Sequence, residues 1–192
     1  MSTAFKFTSA LIFAVLPCIG SNRNALGQEV TNQSFLKLSF EQFDQDMNGG
    51  WRISAQEGKY PEAAKMIEAY LSKGPNLKSK DRRMLHFHAG QMLAMGDKPK
   101  EAIEHFKKST QPNENDFMRW NAYVEGTIAF LEKDKARLEA AREEVSKAQV
   151  PLSFNKNLVV LDLLIKSSDS SYKKIFEGLI AKNKKRAQKT SG

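Results

Sequence analysis

The chain has 192 residues, room for one ordinary domain, and its 41% hydrophobic and 27% charged content is that of a globular chain rather than a disordered or wholly membrane-embedded one. Lys and Arg outnumber Asp and Glu by 30 to 22, a formal charge of +8. Cys18 is the one cysteine, which excludes an intrachain disulfide and a cysteine-rich zinc site.

Residues 1–27 are ordered like a secretory signal. Lys6 gives a thin positive start, Phe7 to Leu16 is uncharged and mostly apolar, and Pro17, Gly20 and Ser21 break the run. Ala25 and Gly27 frame Leu26, which places cleavage before Gln28. A membrane-spanning helix needs about 20 apolar residues, more than this stretch holds. Cys18 follows Val15-Leu16-Pro17, and proline stands where a lipoprotein signal has a small residue, so lipid anchoring is the less favoured reading. Cleavage after Gly27 removes Lys6, Arg23 and Cys18, leaving a cysteine-free chain of charge +6. Such a chain suits an oxidising compartment, periplasmic or secreted.

Residues 28–50 read as an N-terminal helix, with Phe40 and Phe43 inward, and a polar turn. Within it, Asp44, Asp46, Asn48 and Gly49, followed by Glu57, resemble an EF-hand loop. Calcium chemistry needs oxygen ligands at alternate positions, a glycine for the bend and a closing bidentate Glu. The resemblance makes calcium binding the alternative function, with Asp44, Asp46, Asn48 and Glu57 as ligands. The loop departs from the pattern, since Gly50, Trp51 and Arg52 carry Glu57 two positions too far and bring in a cation.

From 51 to 182 the pattern is that of paired helices, without sustained period-2 alternation, so strands are not expected. A short helix near Trp51 to Gln56 leads through Gly58-Lys59-Tyr60-Pro61 into one carrying Ala63, Ala64, Met66, Ile67 and Tyr70. Arg83 to Met95 places Leu85, Ala89, Met92 and Leu93 on one face. Gly96-Asp97-Lys98-Pro99 then turns the chain into a helix burying Ala102, Ile103 and Phe106, with proline tolerated in its first turn. Asp116 to Leu131 and a helix from Asp134 through Leu138, Ala141, Val145 and Ala148 repeat the plan. Phe154 to Ile165 is apolar on most sides and is expected to be the most buried helix. Ser170 opens the last, with Tyr172, Ile175, Phe176, Leu179 and Ile180 inward. Residues 183–192 are expected to form a basic, flexible tail.

The segment Leu85 to Pro112 resembles a tetratricopeptide repeat, a 34-residue helix-turn-helix unit. Gly90 stands at the family's small position in the first helix, and Ala102 and Phe106 at its alanine and aromatic positions in the second. A step of 34 residues maps His86 to Trp120 and Ala102 to Ala136. It also maps Gly90 to Val124 and Phe106 to Ala140, a degenerate second unit. The resemblance covers 83–116 best and 51–75 and 117–150 more weakly. It implies an all-α fold, antiparallel helical hairpins stacked as a short array, and a binding protein with a concave surface. At the family's groove-facing positions stand Phe87, Gln91 and Ala94 in one unit and Asn121, Glu125 and Ile128 in the next. The Lys/Arg-Asn clamp that some members use for a C-terminal carboxylate is absent from them. A protein or peptide partner is therefore expected, with no cofactor.

Catalysis is not expected. His86 and His88 are two apart on a helix, about 200° around it, and cannot share a metal on one face. His105 stands alone in a lysine-rich segment. No H-E-x-x-H, G-x-S-x-G or P-loop spacing occurs. The basic cluster Lys182, Lys184, Lys185, Arg186 and Lys189 can touch an anionic membrane weakly. It lacks the interleaved aromatics of a nucleic-acid surface, so no nucleic acid is expected.

Overall fold

The structure is a computed structural model that describes residues 33–113, 116, 118–149 and 155–190. The signal-like residues 1–27, with Cys18, lie outside them. All regular structure among the described residues is helical. A 3-10 turn, Gln33–Lys37, and a π turn, Glu41–Gln45, lead into α1 (Arg52–Gln56), α2 (Tyr60–Lys73), α3 (Ser79–Met95) and α4 (Pro99–Lys108). There follow α5 (Trp120–Leu131), α6 (Lys135–Ser146), α7 (Lys156–Lys166) and α8 (Tyr172–Thr190). None of these helices is long and apolar enough to cross a membrane.

Three hairpins, α1–α2, α3–α4 and α5–α6, are closed by one turn geometry used three times. Gly58, Asp97 and Lys133 sit in the left-handed region at φ 77°, 58° and 62°. The following N–H in each case, of Lys59, Lys98 or Asp134, bonds the carbonyl five residues back, at Ser54, Leu93 or Ala129. This is the Schellman arrangement, which satisfies carbonyls left open at a helix end. Glycine takes the conformation freely; Asp97 and Lys133 hold it at a cost of about 1–2 kcal/mol each.

The shared turn gives the repeat its true register. Asp97 recurs as Lys133, so the step is 36 residues (97 to 133), two more than the 34-residue expectation. In this register Gly90 recurs as Gly126, and both are close-approach sites. A Cβ on Gly90 would lie 2.9 Å from the Phe106 ring, and one on Gly126 2.8 Å from Leu161. The second unit thus keeps its small residue, and Val124 was the wrong equivalent. The core runs through all three hairpins, with Phe106, Tyr123 and Leu161 fully buried. Each such side chain contributes about 1.5–3 kcal/mol of burial.

Four boundaries or burials differ from expectation. α3 begins at Ser79, four residues early. α5 begins at Trp120 rather than near Asp116, because the Asp116 carboxylate accepts the N–H groups of Trp120 (2.5 Å) and Asn121 (3.0 Å). The most buried helix is α3, buried continuously from Phe87 to Met95, whereas α7 leaves Val159 64% exposed. α8 continues as helix to Thr190, across the stretch expected to be a tail; Ala, Lys, Arg and Gln there are good helix formers.

Candidate functional site

In the 36-residue register, positions on the first helices of the two central hairpins pair up as Phe87 with Tyr123, Gln91 with Thr127, and Ala94 with Phe130. Phe87 is the centre of an aromatic group, 5.2 Å from Phe106, 4.6 Å from Trp120 and 5.6 Å from Tyr123 between ring centroids. Trp120 donates its indole N–H to the Ser109 carbonyl at 2.9 Å, tying the end of α4 to the start of α5.

The six residues expected to line a groove divide into two groups. Phe87, Gln91, Ala94 and Ile128 are buried within the chain. Asn121 is engaged in holding the α4–α5 connection: its Oδ1 accepts the Gln111 N–H at 2.9 Å and its Nδ2 donates to the Gln111 carbonyl at 2.8 Å. Glu125 is exposed and pairs with Arg137. The six therefore do not form one open surface, because other parts of the chain cover four of them.

Part of that cover is α8, which packs on α3 and α7. Its Tyr172 ring lies 6.2 Å from Phe130 and stacks at 4.3 Å on Phe176. Burial, then the nearby Tyr123, push the Tyr172 hydroxyl well above its ordinary value, against an opposing pull from the Gln91 amide. Tyr172 thus stands at Gln91, Tyr123 and Phe130, three of the paired positions. Further along, the Tyr60 hydroxyl donates to Glu177 at 3.3 Å. The polar fit is poor. Both amide atoms of Gln91 and the Tyr172 hydroxyl are buried without an aligned hydrogen bond, although amide and hydroxyl are neighbours.

The N-terminal segment covers α3 by a different chemistry. Asp44 is fully buried. Its Oδ1 accepts from His88 Nδ1 at 2.6 Å and from the Trp51 indole at 3.0 Å, and its Oδ2 from Gln45 at 2.5 Å. Arg52 donates to the Asp44 carbonyl at 2.6 Å. Burial alone would raise the Asp44 pKa; the charge and hydrogen bond of His88, with Arg52 and Trp51, outweigh it and hold the group below the usual carboxylate range.

This overturns the EF-hand geometry. Asp44 faces the core, Asp46 is exposed and accepts the Asn48 N–H at 2.9 Å, and Glu57 pairs outward with Lys59 at 2.8 Å. The residues that lengthen the loop are the ones that hold Asp44 inside: Trp51 and Arg52 bond it directly. Gly50, at φ 52°, lets the chain pass so close that a Cβ would lie 1.9 Å from the Phe43 carbonyl oxygen. Among the described residues no three His, Cys, Asp or Glu gather as a metal site.

His105 has company that its sequence neighbours conceal. Its Nδ1 lies 3.2 Å from His86 Nδ1, and its Nε2 lies 3.4 Å from Glu68. Burial, His105, Lys108 and Arg82 lower the His86 pKa to about 4. Burial also lowers that of His105, despite Glu68. Beside the α7–α8 connection a cleft of about 200 Å³ is lined by Phe130, Lys133, Leu138 and Ser168, less than the roughly 300–1,000 Å³ of small-molecule sites. The side chains of Lys184, Arg186 and Lys189 in the basic cluster lie outside those described.

No protein-family model, no curated protein and no solved structure matches the chain.

Proposed function

We propose that this is an exported binding module of tetratricopeptide-like build, whose stacked hairpins engage a protein or peptide partner. The observation that carries the reading is the pairing of Phe87 with Tyr123, Gln91 with Thr127 and Ala94 with Phe130 on adjacent first helices, beneath an amphipathic helix. Stacked helical hairpins bury their cores between neighbours and bind through surfaces that run across several units.

Affinity selection with the chain from Gln28 onward as bait tests this. A partner retained by wild type and lost on Gln91→Leu and Phe130→Ala, with helicity at 222 nm unchanged, supports the reading. Equal retention by all three moves the site off this face. Export rests on residues 1–27: the secreted chain should begin at Gln28, and an intact Met1 would remove that part.

A further inference from the structure

We propose that α8 is an exchangeable occupant of the α3–α5 face, and that the partner is an amphipathic helix with the same aromatic–aliphatic stripe. This rests on the binding reading and names its ligand class. The face already accepts such a helix. Tyr172, Ile175 and Phe176 are buried and Leu179 and Ile180 half-buried, spacings of three and four that make one helical stripe.

Three features mark the occupant as replaceable. The first is the polar mismatch: the Gln91 amide is 1% exposed and the Tyr172 hydroxyl is buried with it, neither with an aligned partner. Buried polar groups without hydrogen bonds are costly, so a helix offering Gln91 a donor and an acceptor gains what α8 lacks.

The second is the helix itself. Gly178 stands in the middle of α8, and a Cβ there would meet nothing within 4 Å. No packing demand explains the glycine, the poorest helix former short of proline. The third is the attachment. Beyond the stripe, the polar ties of α8 among the described residues include the Tyr60–Glu177 bond and Lys173, 6.0 Å over the Tyr60 ring, both within its first two turns. The connection to α7 is Ser167-Ser168-Asp169-Ser170-Ser171, whose Ser168 and Ser170 carbonyls accept from Lys133 Nζ at 3.3 and 3.4 Å on the surface. This connection holds no apolar side chain, so what keeps α8 in place is the stripe and not the hinge.

Hydrogen exchange on the full chain gives the first test. Amides of 172–180 should exchange at least tenfold faster than those of 88–95, by local opening. Gly178→Ala, which has room for its methyl, should slow α8 exchange about fivefold, the difference in helix propensity converted to a rate. The second test uses a labelled synthetic peptide of residues 171–190. It should bind full-chain Phe176→Glu, whose own α8 is released, at least tenfold tighter than wild type.

Protection of α8 equal to that of α3, or a peptide that binds Phe176→Glu no tighter than wild type, overturns the proposal. The exchange measurement stands even where Phe176→Glu does not fold. A partner lost on Gln91→Leu yet bound equally by wild type and Gly178→Ala leaves the binding reading intact and overturns the exchange of α8. Peptide binding as expected with no partner recovered supports the exchange and counts against the partner reading alone.

Discussion

Two segments cover α3, and they do so by opposite means. The N-terminal segment places a carboxylate against it and meets that carboxylate's acceptors with an imidazole, an indole and an amide. α8 lays an aromatic stripe over the neighbouring part of the same helix and leaves an amide and a hydroxyl without aligned partners. Both contacts are buried, so burial alone does not separate them; the state of their polar groups does. A matched buried network fixes one arrangement, whereas a mismatched one leaves room for a better-fitting replacement.

The largest effect should come from breaking the matched cover. Asp44→Ala strands the His88 and Trp51 donors and is expected to cost about 3–5 kcal/mol, read as a lower urea midpoint. A loss under about 1 kcal/mol would dissolve the contrast between the two covers. Next, the hairpin interior provides a reference that neither cover touches. Gly90→Ala presses a methyl on the Phe106 ring and should cost about 1–3 kcal/mol, with little change in α8 exchange.

Mending the mismatched cover should act in the opposite direction. Gln91→Leu removes a stranded amide and is expected to stabilise the chain by about 1 kcal/mol in thermal unfolding; a destabilised variant would mean that the amide is satisfied after all. The smallest effect is the pH slope from the part-exposed pair on α3 and α4. His86 takes a proton near 6.5 when unfolded but only at about 4 when folded. Its contribution is therefore full above the unfolded value and declines as pH falls through that window. The lowered His105 pKa adds in the same direction. Urea midpoints should fall between neutral pH and about pH 5, and His86→Gln should flatten the trend. Asp44 adds its own loss only below its unfolded value of 3.8, as pH falls through its lower folded one.

Much of the fold was legible because hairpins are local. Gly58, Gly96-Asp97-Lys98 and Pro99 mark the turns by backbone chemistry that needs no distant partner. The register of the repeat was not legible. A fixed step of 34 overlooks the two-residue difference between units, and only the recurring positive φ of Asp97 and Lys133 reveals that Gly126 answers Gly90. The inward turn of Asp44 depends on His88, a residue 44 positions away, and local spacing of oxygens points to calcium instead. His86 and His105 meet across a hairpin at a separation of 19; helical angle within one segment, the measure applied to His86 and His88, does not see such a pair. Phe87, Gln91 and Ala94 share one face of α3, whereas the 34-residue step points to Asn121, Glu125 and Ile128 in place of Tyr123, Thr127 and Phe130 on α5. What covers that face is tertiary and left no mark beyond the amphipathic pattern of α8.

The Tyr60–Glu177 bond joins residues 117 apart, and this span orders events in time. Hairpins form from neighbours and close quickly, while contacts across a long loop come late. Whether the chain emerges from a ribosome or through a membrane pore, its C-terminus arrives last. Each new molecule therefore passes through a stage in which the hairpins are stacked and the α3–α5 face is bare. A partner present at that stage meets no competitor, so assembly during biogenesis should outpace assembly with the finished protein.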